Sequence, residues 1–294
     1  MTRLLPFRPR AGRSATLGGA GLVTAAAALT LLMPGSAGAQ NGDTGAVPAP
    51  PASPTSANQI QNIDQVKTAI KGYYGDTVTN TADPVPNDID GADIALHTFN
   101  PDGAYAHEMA GIVDQAETYL AKPKPKGVYD TKKATKAVLF DVDDTLLNTY
   151  NYEIYSNFVF NPTTNAAFVN SAAFPAVPHM VELEQYAESK GYTVFFLTGR
   201  PTTQHDGTVA NLTDVGYDVT DANLYLKDKT GATEPWLLGC APNCTTIQYK
   251  SLTRQHIESL GYDIVANFGD QFSDLSGGFA DRTFKLPNPM YFLP

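Results

Sequence analysis

Residues 137–147 read AVLFDVDDTLL. The first four are a continuous apolar run, as expected of a strand buried on both faces. The run stops at Asp141, and two more acids follow at Asp143 and Asp144. Carboxylates this close disfavour one another's ionisation and destabilise the fold unless a partner answers them. The identity of that partner decides what the chain does.

Working outward, strands and helices alternate. Residues 178–191 begin with Pro178 and end with Gly191, and Met180, Val181, Leu183 and Ala187 line one face: a helix. TVFFLT (193–198) reads as a second buried strand and NLYL (223–226) as a third. Between them, residues 208–216 read as the end of a helix stopped by Gly216. Residues 251–261 read as a helix closed by Gly261, IVANFG (264–269) as a fourth strand, and RTFKL (282–286) as a fifth. Upstream, Ile60, Ile63, Val66 and Ile70 recur at helical spacing, as do apolar positions over 104–121. The alternation predicts an α/β fold, a parallel sheet covered by helices on both faces. Ligands of such sheets bind beyond the carboxyl ends of the strands.

Those ends carry chemistry. The first strand leads into Asp141 and Asp143, and the second into Thr198, Gly199 and Arg200. The fourth leads into GDQFSD, with Asp270 and Asp274, and Lys250 stands ahead of the preceding helix. Several carboxylates converging on one point demand a cation, and hard oxygen donors suit Mg²⁺. A Lys and a Thr beside them suit an anion, and a phosphate bridged to the metal satisfies both. On this reading Asp141 is the nucleophile on phosphorus. Asp143 protonates the leaving alcohol and then takes a proton from water. Thr198, with Gly199 after it, and Lys250 hold the phosphoryl oxygens. Asp141, Asp143, Asp270 and Asp274 form the metal's surroundings, with Asp274 a ligand or an orienting group.

The sequence resembles the haloacid-dehalogenase (HAD) phosphatases. FDVDDTLL matches the family's first motif, FFLTGRP the second, YKSLTRQHI the third through its Lys, and GDQFSDL the fourth. The ending FKLPNPMYFLP is similar to secreted acid phosphatases related to plant vegetative storage proteins and to bacterial class B-like enzymes of subfamily IIIB. The resemblance implies a Rossmann-like HAD fold, Mg²⁺, an aspartyl-phosphate intermediate, small phosphomonoester substrates and a metal bond from the backbone carbonyl of Asp143. Residues 149–177 are too few for a large cap, so a small insert after the first motif is expected. Residues 227–249 depart from the family pattern, being long and carrying a Cys pair where plant members are plainer, so the resemblance does not fix the choice of substrate.

Composition sets outer limits. The 294 residues are 43% apolar, enough for a substantial core, and the formal net charge of -10 leaves no basic footprint for nucleic acid. Arg3, Arg8, Arg10 and Arg13 precede an apolar stretch that closes on SAGAQ, the pattern of a secretory signal peptide over 1–39. Residues 40–58, rich in Pro, Ala and Ser, read as a disordered linker, leaving 59–294 as the phosphatase domain. A secreted protein with no membrane attachment after cleavage is expected. Cys240 and Cys244 are the only cysteines. In a secreted chain the pair reads as a disulfide, with half a metal site as the rival reading.

Other readings of the motif residues fare less well. A calcium loop starting at Asp141 would need Gly at 146 and Glu at 152, where Leu and Tyr stand. Asp144 reads as a cap or a solvent-facing acid. Arg200 reads as either a phosphate neighbour or a helix-entry residue. The aromatic run TYNYEIY (149–155) suits a substrate pocket or plain packing. The five His are scattered, and none pairs with another at ligand spacing. At the level of function, the rivals are a catalytically silent storage or binding protein on the same fold and a phosphotransferase to alcohol acceptors.

Overall fold

A computed structural model describes residues 53–79, 95–123, 134–228 and 234–293. The expected signal peptide and residues 40–52 of the expected linker lie outside these; residues 53–58 are exposed. The chain opens with α1 (Ile63–Tyr74), β1 (Thr77–Thr79), β2 (Leu96–Thr98) and α2 (Ala104–Leu120). Helix α1 starts later than its apolar spacing suggests. Asn62 accepts from the N–H groups of Asp64 and Gln65 and so caps the helix there, leaving Ile60 and Ile63 exposed. Strands β1 and β2 pair antiparallel as a separate two-stranded ribbon.

The larger sheet follows: β3 (Thr135–Phe140), α3 (Tyr150–Tyr155), α4 (Pro162–Asn170), α5 (Met180–Ser189), β4 (Thr193–Pro201), α6 (His205–Val215), β5 (Leu224–Lys227), α7 (Thr246–Ser259), β6 (Tyr262–Gly269), α8 (Phe272–Leu275) and β7 (Thr283–Lys285). Its order is β5-β4-β3-β6-β7, and every neighbouring pair is parallel. The strands are buried on both faces, as their apolar runs predict. Val138, Phe140, Val194 and Phe196 join one core with residues of α1, α2, α5 and α6, while Ala137, Leu139, Phe195 and Leu197 join a second with Tyr249 and Ile257 of α7. The insert after β3 is two short helices, α3 and α4, and carries no sheet among the described residues.

This topology positions the site. From β3 the chain moves outward to β4 and β5, then returns to lay β6 on the other side of β3. The crevice at the carboxyl ends of β3 and β6 is the point where strand order reverses. Register levels the three strand ends, because Phe140 pairs with both Phe196 and Phe268. Asp141, Thr198 and Asp270 therefore emerge within one residue of the same edge. Beneath them Phe140 stacks on Phe268 at 4.6 Å and Phe268 on Phe284 at 4.7 Å.

Helix α7 begins at Thr246, not at 251. Thr245 and Gln248 form a reciprocal capping box that starts the helix before Lys250. Lys250 is thus inside the helix, four residues before Arg254 and on the same buried face. The disulfide reading holds: Cys240 and Cys244 are bonded. Their segment packs on α7, where Trp236 stacks on His256 at 3.7 Å and donates to Thr253 Oγ1.

Candidate active site

Three buried carboxylates meet at the crevice. Asp141, Asp270 and Asp274 each place an oxygen within 4.8 Å of the others. Asp141 gets there by continuing β3; its N–H still donates to the Phe268 carbonyl at 3.0 Å. Asp270 follows β6 directly. Asp274 is brought back over the strand end by α8, where its Oδ2 accepts from the Gln271 N–H at 2.8 Å. That close return needs a glycine: a Cβ on Gly269 would lie 2.5 Å from the Asp274 Cβ. Asn267 and Arg254 hold the Asp274 carbonyl from below, at 3.0 and 2.6 Å. Arg254 also donates to the carbonyls of Gly278 and Ser276. It is fully buried, and burial lowers its pKa to about 10 while leaving it charged at neutral pH.

Lys250 is the cation of the cluster. Its Nζ donates to Asp141 Oδ1 and, at 2.7 Å, to Asp274 Oδ1. Burial opposes its charge, but the two carboxylates outweigh burial and hold its pKa above the ordinary lysine value. One ammonium does not settle three carboxylates. Burial pushes Asp141 well above the usual carboxylate range despite Lys250, with Asp274 and Asp270 adding repulsion. Burial, then Asp274 and Asp144, do the same to Asp270. Acids in that state take up protons or a cation, and a buried set of hard oxygen donors fits a divalent metal ion.

Other expected residues lie just past β3 and toward the carboxyl end of β4. Thr198 is buried and its Oγ1 accepts from the Arg200 N–H at 3.1 Å, which leaves the hydroxyl proton free to donate. Gly199 beside it is exposed. Asp143 points elsewhere than the carboxylate cluster: Arg200 Nη2 donates to its Oδ1 at 2.7 Å, and Nε reaches both oxygens at 3.1 Å. Arg200 is itself braced by Thr208 Oγ1 at 3.0 Å. The arginine side chain is 3% exposed and the aspartate 30%, so a buried guanidinium holds a carboxylate at the mouth of the site.

Asp141, Asp270, Asp274 and Lys250 come together, while the Asp143 side chain pairs with Arg200, and the surroundings of other residues differ from expectation. Asp144 neither faces solvent nor is free. It is buried, with φ 53°, and accepts from Thr149 N–H at 3.0 Å, Thr149 Oγ1 at 2.6 Å and the Tyr291 hydroxyl at 2.8 Å. Burial, offset by those bonds, places its pKa at about 7. The aromatic run resolves toward packing: Tyr150 stacks on Tyr74 at 4.5 Å, and Tyr152 packs edge-on to Phe168. Asn288, Gln271 and Tyr291 escaped sequence reading, although the polar side chains interrupting the apolar ending were a signal. Asp270 Oδ2 accepts from both Gln271 Nε2 and Asn288 Nδ2, each at 2.7 Å.

A doubly covered parallel sheet with buried acids and a lysine at its switch point is the architecture of the HAD-type α/β proteins. The chain belongs to one branch of them: residues 99–294 match the HAD superfamily, subfamily IIIB (acid phosphatase). It is 37% identical over 194 residues to Acid phosphatase 1 of Solanum lycopersicum, covering 64% of this chain and 69% of that one. It is 34% identical over 160 residues to the stem 28 kDa glycoprotein of Glycine max, covering 53% of this chain and 59% of that relative's length. Vegetative storage protein 2 of Arabidopsis thaliana is 30% identical over 194 residues, with 65% and 67% covered. The class C acid phosphatase of Bacillus anthracis shares the fold, with a TM-score of 0.52 at 23% identity over 65% of this chain and 80% of that one.

Proposed function

We propose that the chain is a secreted, Mg²⁺-dependent acid phosphatase that hydrolyses small phosphomonoesters through an aspartyl-phosphate on Asp141. The observation that carries the reading is the buried trio Asp141, Asp270 and Asp274 with Lys250 among them. Membership of an acid phosphatase family supports it. The domain plan is proposed likewise: a signal peptide over 1–39, a linker over 40–58 and the catalytic domain over 59–294. No helix among the described residues is long and apolar enough to cross a membrane.

Asp141 and Asp270 would hold the metal, with the carbonyl of Asp143, and Asp274 would orient them. Its two carboxylate oxygens are engaged by Lys250 and Gln271. Bound there, Mg²⁺ supplies positive charge that keeps Asp141 ionised and accommodates a phosphate dianion. Asp141 attacks phosphorus and releases the alcohol. Asp143, gripped by Arg200 at the mouth, gives the leaving oxygen its proton and then takes one from the water that cleaves the acyl phosphate. The Thr198 hydroxyl, the Gly199 backbone and Lys250 hold the phosphoryl oxygens.

The test is p-nitrophenyl phosphate hydrolysis from pH 4 to 8, with Mg²⁺ and with EDTA, beside Asp141→Asn. Metal-dependent turnover that the variant loses is the expected result. A second reading, a silent storage protein, draws on the relatives that carry that name; folded protein with no turnover under any of these conditions would favour it. Added alcohol that diverts phosphate from water would mark the phosphotransferase instead.

A further inference from the structure

Residues 287–293 return across the sheet edge and touch it at several points. Asn288 Nδ2 donates to Asp270 Oδ2 at 2.7 Å. The Tyr291 hydroxyl donates to Asp144 Oδ2 at 2.8 Å. The Leu293 N–H donates to Gln271 Oε1 at 2.9 Å, and Gln271 Nε2 donates to Tyr291 O at 3.4 Å and to Asp270 Oδ2 at 2.7 Å. The segment is therefore tied to the loop after β3 through Asp144 and to the loop after β6 through Asp270 and Gln271. It is a strap across the two strand ends that frame the crevice.

We propose that this strap is a positioning element for the metal site, acting chiefly through Asn288. The proposal rests on the metal reading given above. Gln271 Nε2 and Asn288 Nδ2 both donate to Asp270 Oδ2, and two amides on one oxygen restrict rotation of the carboxylate that stands within 4.8 Å of Asp141 and Asp274. A carboxylate oriented this way needs little rearrangement to bind a cation, whereas one free to rotate loses freedom on binding. The neutral amides suit the task. They satisfy a buried oxygen without adding a charge that would compete with the metal, as Lys250 does at Asp141 and Asp274. Tyr291 anchors the strap from the other side. Asp144 already joins the β3 loop to the start of α3 through Thr149, and Tyr291 makes the strap part of that joint.

The experiment is calorimetric titration of Mg²⁺ into metal-free full-length protein, comparing wild type, Asn288→Ala and Tyr291→Phe. The unfolding midpoints of the metal-free proteins are measured alongside. Asn288→Ala is expected to weaken Mg²⁺ binding about tenfold, the low end for loss of a group that orients a metal ligand. Tyr291→Phe is expected to act in the same direction and by less. A strap that only stabilises the fold would lower the metal-free midpoint and leave the Mg²⁺ affinity of the folded protein unchanged, and that result overturns the proposal while wild-type binding keeps the metal reading intact. Wild type that takes up no Mg²⁺ overturns the metal reading, and the strap's role with it. Should the alanine variant not fold, Asn288→Ser, which keeps a small polar side chain, carries the same comparison.

Discussion

Lys250 Nζ lies 2.7 Å from Asp274 Oδ1 and reaches Asp141 with another of its protons, so one ammonium joins the acid at the end of β3 to the acid of α8. Removing it leaves two buried carboxylates facing each other. Lys250→Met is expected to destabilise metal-free protein by about 3–5 kcal/mol, as for other buried pairs that lose one partner. Added Mg²⁺ is expected to restore part of that stability without restoring turnover. Urea unfolding with and without Mg²⁺, beside the phosphatase assay, checks both parts.

Asp141→Asn separates catalysis from folding in the opposite way. Burial already pushes the Asp141 carboxyl far up, so a neutral amide of the same shape relieves repulsion from Asp270 and Asp274. Turnover is expected to fall to background while the metal-free unfolding midpoint stays level or rises. A midpoint that drops by several degrees would show that ionised Asp141 contributes to stability through Lys250.

Arg200→Lys tests the grip on Asp143. A lysine cannot reproduce the forked contact from Nε and Nη2 or the brace to Thr208. A loosened proton donor is expected to cut kcat by about 10- to 100-fold, since small displacements of a reacting group are costly. KM is expected to move much less. A change confined to KM would instead place the arginine's role in binding.

Stability is expected to be greatest on the acid side. Glu184 of α5 is buried, has no side-chain donor among the described residues, and its pKa is raised to about 7 by burial and then by Glu188 and Asp218. Burial also brings Glu153 and Glu258 to about 7. An acid whose folded pKa is raised holds its proton more tightly in the folded state. Its stabilising effect is full below the unfolded value near 4.5 and is lost as pH rises toward 7. Glu184→Gln is expected to flatten that decline, gaining about 1–3 kcal/mol at pH 8 and little at pH 4. Urea midpoints at the two pH values are the measurement; equal gains at both would mean that titration is not the cause.

The sequence was legible where one element carried its own signal. Apolar runs ending in Asp141, Thr198 and Asp270 announced buried strands and their functional edge together, because a parallel sheet makes the strand interior and the strand end read differently. It was less legible where partners come from far along the chain. Nothing near Asp144 says that Tyr291 will donate to it, and nothing near Asp270 points to Asn288. Helix α7 starts ahead of its apolar spacing because the Thr245 capping box, a polar signal, sets its first turn. The exposed Ile60 marks the converse case: an apolar residue at helical spacing that stands before the Asn62 cap.

The strap has a consequence for how the protein comes into being. The groups that meet at the crevice span residues 141 to 291, and the contact between Asp144 and Tyr291 closes nearly all of that interval. Contacts so distant in sequence form late, after the entropy of closing a long loop has been met by the pairing of β3 with β6. A refolding chain should therefore regain its helices and its sheet before it regains activity.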